Sequence, residues 1–205
     1  MNILLDALPE TVSVCGLNVP IHSDHRSCIR AHIALTDSAG SDQDALEGAL
    51  RAFYDVIPAK ATVDDAVDAM TGFLGGAPVP ELPGMGKERK RRQERAYSFA
   101  YDQERILAAF LQQYGIDLTQ TTLHWWVFLA LLGNLYENQM ANVMAARTEI
   151  AEPKASKETK KQIAERKKKL AIPERESSTE KEERDALKKA INEGDWDEVD
   201  RILGN

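Results

Sequence analysis

The chain has 205 residues, 43% of them hydrophobic, with a formal net charge of −7 and a mean hydropathy of −0.41, long and apolar enough for a sizeable core and unlike a chain disordered throughout. An acidic balance with two short basic runs argues against a general nucleic-acid binder, which spreads positive charge over a face, and no window holds the apolar run that a membrane-spanning helix needs. The opening MNILLDALPE lacks a basic region followed by a long apolar stretch, so a soluble intracellular protein is expected.

Taken in chain order, Thr11 to Val14 and then Val19, Pro20 and Ile21 flank Cys15-Gly16-Leu17-Asn18. Alternation around a Gly and Asn turn predicts a hairpin, with Pro20 confined to a strand end or edge. Ser23 and Asp24 are cap candidates for a helix running to about Leu35, with Cys28, Ile29, Ile33 and the rings of His25 and His32 turned inward. Asp37 to Ser41 breaks it. Ser41 with Asp44 then reads as a capping box opening a second helix, whose stripe is Leu46, Ala49, Leu50, Phe53 and Ile57 and whose stop is Pro58. Thr62 with Asp65 repeats that signal for a third helix bearing Val63, Ala66, Val67, Met70 and Phe73, ended by Gly75-Gly76.

The segment near 76–95 changes character. APVPELPGMG is dense in Pro and Gly, and KERKRRQER behind it carries six basic against two acidic groups, whereas residues 1–86 carry four basic against twelve acidic. A flexible loop is expected there, with Lys87, Arg89, Lys90, Arg91 and Arg92 as candidates for contact with an acidic partner surface and a solvated run as the plainer alternative. Gly84-Met85-Gly86-Lys87 is no phosphate loop: Glu81 stands where that motif needs its first glycine, and Glu88 where it needs a hydroxyl.

From Phe99, the residues Ile106, Leu107, Phe110, Leu111 and Tyr114 recur at helical spacing, and Gly115 stands where a left-handed cap is needed. Asp117 and Thr119 offer oxygens for a restart, and Leu123 to Leu132 has His124 as its sole polar side chain. The second helix should therefore be buried nearly all round, and it is too short to cross a bilayer. His124-Trp125-Trp126 admits a catalytic or base-stacking reading, but no Ser or Cys stands in a nucleophile context. The favoured reading is that the indoles bury large area while His124 caps or orients the helix. If the two tryptophans face different sides, one serves the core and the other a protein surface, which makes Trp125, Trp126, Phe128 and Leu129 candidate partner-binding residues.

A further helix from Tyr136 to about Ala146 places Met140, Val143 and Met144 on one face, and Pro153 ends the core. Beyond it, 156–171 has helical composition with Ile163 and Leu170 as its large apolar residues, too few for a buried stripe. Then 180–193 and 195–203 read as two short helices packing through Leu187, Ile191, Trp196, Val199, Ile202 and Leu203. Cys15 and Cys28 read as free thiols, and His22, His25 and His32 lack the further ligands of a zinc site; no cofactor is expected. The expectation is a mainly α single domain over 1–150 with a small N-terminal hairpin, followed by a charged helical tail over 151–205.

Tyr97-Ser98-Phe99, the run from Ala109 to Leu118, and Leu123-His124-Trp125-Trp126 followed by Phe128, Ala130, Leu131 and Leu132 closely resemble the bacteriophage gene-product-fifteen family. Weaker matches are Ala49 to Tyr54 with Ile57-Pro58, and Arg147-Thr148. Val127 and Leu129 depart from it, standing where relatives carry basic residues, and the chain from Asn192 onward has no counterpart. The resemblance implies a non-enzymatic tail-assembly chaperone or tail morphogenesis factor, in the cytoplasm of the bacterial host or in the virion, with a tape-measure or tail-tube protein as partner. A homo-oligomer is compatible with it. The alternatives are a structural tail component that stays in the virion, and a nucleic-acid or regulatory factor using the basic runs.

Overall fold

A computed structural model describes residues 2–37, 41–77, 95–173, 186, 187, 189–193 and 201. The fold is mainly helical with one two-stranded antiparallel sheet. β1 (Thr11–Val14) pairs β2 (Leu17–Pro20) with Thr11 opposite Pro20 and Val14 opposite Leu17. The turn is Cys15-Gly16 alone, shorter than expected. Both residues take positive φ, 50° and 75°, the backbone whose twist suits a two-residue hairpin loop. Pro20 closes the end of the ladder, as its missing N–H requires.

α1 (His25–Thr36) starts on Asp24, whose carboxylate accepts from the backbone N–H of Arg26 and Ser27. α2 (Asp42–Phe53) and α3 (Val63–Leu74) each begin with a complete capping box, Ser41 with Asp44 and Thr62 with Asp65. α2 stops at Phe53, short of Pro58: Tyr54 turns out of the helix to bridge Ile21, and its hydroxyl donates to the Ala66 carbonyl at 2.8 Å. Ile57 is thereby removed from the buried stripe and stands 36% exposed.

α4 is Gln103–Tyr114, four residues shorter at its start than the apolar spacing suggested, and Gly115 ends it at φ 66°. Its buried residues are Ile106, Ala109 and Phe110, while Leu111 faces outward at 46% exposure. α5 (Trp125–Gly133) is capped by His124, whose Nδ1 accepts from Trp126 N–H. Asp117 instead closes its own turn onto Thr119. No side chain between Trp125 and Leu132 is exposed, in keeping with a helix buried nearly all round. α6 (Gln139–Thr148) starts on Asn138 rather than at Tyr136, and α7 (Lys157–Leu170) starts on Ser156 and buries no residue. Residues 189–193 are helical with Ala190 buried; the expected helix over 195–203 lies outside the described residues apart from Arg201.

The core is one cluster from Val14 to Met140, with Trp125, Phe53, Phe110, Phe128 and Met70 among its largest buried side chains. α5 supplies its middle. Phe128 stacks on Trp125 at 5.5 Å between centroids, on Phe110 at 5.2 Å and on His25 at 5.5 Å. Offset ring pairs of this kind add to area burial.

Burial holds the imidazole of His25 below its ordinary pKa, with the Arg26 charge acting in the same direction, and burial and the Arg95 charge do the same to His32. A histidine depressed in the fold titrates higher when unfolded, so both contribute stability that is complete above about 6.5 and declines as pH falls below it. Urea midpoints measured from pH 7.5 down to 5 are expected to fall, by no more than about 1.4 kcal/mol per pH unit for each histidine. His25→Gln, which keeps an acceptor for Leu123 N–H, is expected to flatten that slope.

Candidate functional site

Helix α5 meets α3 end-on, and the carbonyls that α3 leaves without helical donors lie at the contact. Trp125 Nε1 donates to Leu74 O and Trp126 Nε1 to Phe73 O, each at 3.0 Å. Adjacent helical residues point about 100° apart, yet these two indoles straddle one helix end, so both serve it. The side chains are 1% and 8% exposed. This corrects the expectation that one indole faces a partner: Trp125, Trp126 and Phe128 are interior, and Leu129 is half-buried against the core. Lys87, Arg89, Lys90, Arg91 and Arg92 lie outside the described residues.

His124 is committed on both nitrogens. Nδ1 accepts from Trp126 N–H, so Nε2 carries the hydrogen and donates to Pro9 O at 3.0 Å. That bond ties the N-terminal segment to α5. Beside it, His25 N–H donates to Leu123 O and Trp125 N–H to Ser23 O, while His25 Nδ1 accepts from Leu123 N–H. The starts of α1 and α5 are thus sewn together, and the polar groups that suggested chemistry are occupied in holding them.

A second polar cluster surrounds the chain just before α4. Asp37, its side chain 1% exposed, accepts from Arg95 Nη2 at 2.9 Å and from Ser98 Oγ at 3.1 Å. Asp102, its side chain fully buried, accepts from Ser98 N–H at 3.0 Å, from Arg105, and from both terminal nitrogens of Arg147. Arg147 also donates through Nε to Leu170 O and through Nη1 to Ala96 O. Burial alone would raise the Asp102 carboxyl; the bonds from Arg147 and Ser98 and the nearby positive charges outweigh it and hold it below its ordinary value. Ser98 thus joins the two carboxylates, and Tyr97-Ser98-Phe99 is a fastening for the returning chain. Sequence reading quoted Arg147 without assigning it a partner.

A groove of about 550 Å³ runs between α1 and α4, floored by Ile29, Ile33, Phe99, Ile106, Leu107 and Leu118 and edged by Arg26, Arg30, Gln103 and Glu104. Arg26 forms part of its wall, its guanidinium donating to Leu118 O at 3.0 Å and Thr119 O at 2.9 Å. Sequence reading assigned Ile29 and Ile33 to the core. The signal that they also face outward is that the stripes on α1 and α4 are wider than one contact can cover.

The histidines do not converge: His22 Nε2 meets Asp55 at 3.0 Å, His25 meets Leu123, and His32 meets Thr36. Among the described residues no group of three or more His, Cys, Asp and Glu is placed to hold a metal ion, and no helix is long and apolar enough to cross a membrane. Cys15 is exposed and Cys28 buried, both free, and burial pushes the Cys28 thiol up to about 12.

A family model described as Bacteriophage Gp15 protein matches residues 4–172. No curated protein and no solved structure matches the chain.

Proposed function

The chain belongs to the bacteriophage Gp15 protein family, and on that premise we propose that it is a non-enzymatic tail-assembly chaperone or tail morphogenesis factor, acting in the cytoplasm of the bacterial host. Its partner is the tape-measure or tail-tube protein. The observation that carries this reading is the groove between α1 and α4, an apolar floor with charged edges. Such a groove takes an amphipathic helix whose anchors recur at i, i+3, i+4 and i+7, and a long helical tape-measure protein presents such anchors along its length. The occupied state of His25 and Arg26 supports binding over turnover, because their polar atoms already hold the groove walls in place.

Co-expression of the full chain with the tape-measure and tube proteins tests it. Co-purification of one of them is expected, is expected to weaken when residues 151–205 are removed, and is expected to be lost in Leu107→Asp, with circular dichroism and the urea midpoint showing that variant to be folded. Failure of both proteins to co-purify with the full chain removes the proposal.

A further inference from the structure

A second groove, about 440 Å³, lies on the outer face of α2 and the chain that follows it, with Leu46, Leu50, Ile57 and Val63 as its apolar lining. Ile57 and Val63 are 36% and 57% exposed, and Val56 beside them in sequence is 73% exposed. Clustered bare apolar side chains of this kind mark contact surfaces more often than scattered ones do. The surroundings are acidic. Residues 41–68 hold seven carboxylates against two basic groups, Arg51 and Lys60. Arg51, in the lining, is engaged by Glu47, while Asp64 and Asp68 are exposed on α3.

We propose that this face docks a basic amphipathic helix of a partner protein, its apolar anchors seated on Leu46, Leu50, Ile57 and Val63 and its lysines or arginines meeting the acidic surroundings. Charge complementarity selects that occupant. A second copy of this chain fits less well. α7 is basic, but its large apolar residues Ile163 and Leu170 are half-buried, with the Leu170 carbonyl held by Arg147, and the face left over is mostly lysine and glutamate. It has nothing to fill an apolar groove. This surface is separate from the α1–α4 groove, and its test needs no phage tail protein.

The probes are three synthetic dye-labelled peptides: a leucine-lysine helix with leucines at i, i+3, i+4 and i+7, a scrambled peptide of the same composition, and a leucine-glutamate counterpart. Binding to the full chain is followed by fluorescence anisotropy. The amphipathic lysine peptide is expected to bind, the other two to bind far more weakly, and Val63→Asp to weaken the first by roughly tenfold, the scale of one lost apolar anchor. Val63→Asp adds negative charge and places it in the first turn of α3, where it suits the helix dipole, so weakened binding reports lost apolar contact and not lost attraction or lost folding. Equal binding of the scrambled peptide, or binding that Val63→Asp leaves unchanged or tightens, overturns the proposal in favour of general attraction to an acidic surface. Concentration-dependent self-association in sedimentation that Val63→Asp abolishes overturns it in favour of a second copy.

Discussion

Trp125→Ala is expected to lower the unfolding free energy by about 3–5 kcal/mol, read as a fall in the urea midpoint at unchanged slope. The ring is 1% exposed. It stacks on Phe128 at 5.5 Å and meets the edge of Phe99 at 5.9 Å, so its removal opens a cavity in the middle of the core, and rigid helix ends on either side limit collapse. A domain of this size holds about 5–15 kcal/mol in total, so the loss is a large fraction of the stability available. Trp125→Phe separates the two contributions: it keeps an aromatic ring against Phe128 but leaves the half-buried Leu74 O without its donor, a loss of about 1 kcal/mol, with a smaller cavity besides. Should Trp125→Phe unfold as readily as Trp125→Ala, the indole N–H bond to α3, and not the ring, is the main contribution.

The first three helix starts were legible because each rests on a local signal. Asp24, Ser41 with Asp44, and Thr62 with Asp65 cap as their side chains dictate, since the acceptor and the donors it satisfies lie within three residues. Gly115 was legible for the same reason: only the left-handed turn was needed to identify it. Two misread boundaries share a cause. α2 ends early because Tyr54 pairs with Ile21 and reaches Ala66, and α4 begins late because Ser98 and Asp102, held by Asp37 and Arg147, fix the preceding residues in another shape. Both depend on groups far away in the chain, which no window of sequence contains.

The candidate surface was less legible for a related reason. Hydrophobic spacing identifies a helix face but does not say what covers it, so Ile29 and Ile33, which pack on the core as expected, also floor a groove together with Leu107, and neither indole is left for a partner because the end of α3 takes both. Adjacent residues on a helix diverge when the neighbour lies alongside. Here the neighbour arrives end-on, and two diverging side chains reach two successive carbonyls.

Arg147→Met is expected to cost about 3–5 kcal/mol, because it leaves the Asp102 carboxylate buried with much of its compensation gone; thermal or urea unfolding at pH 7 measures it. Asp102→Asn is expected to cost comparably, since the guanidinium, 8% exposed, then lacks its counter-charge. The double variant Asp102→Leu, Arg147→Met is expected to lose much less than the sum of the losses in Arg147→Met and Asp102→Leu measured singly, because replacing a buried pair by apolar groups removes the desolvation cost with the attraction. Recovery should stay incomplete, as Ser98 N–H loses its acceptor. The pH dependence carries an independent sign. Asp102 sits below its ordinary 3.8 in the fold, so its contribution is complete above that value and is lost as pH falls through the lower, folded one. In Arg147→Met the largest of the lowering influences is gone while burial persists, so the folded carboxyl titrates higher. That upward shift should make the stability lost on acidification smaller in Arg147→Met than in the unaltered chain, so that the gap between the two narrows as pH falls below about 3.8, whereas a role for Arg147 through packing alone would keep the gap constant. That shift is what couples the end of α7, the start of α4 and the chain at Ala96 into a single fastening, because all three are held by the one guanidinium that the carboxylate keeps in position.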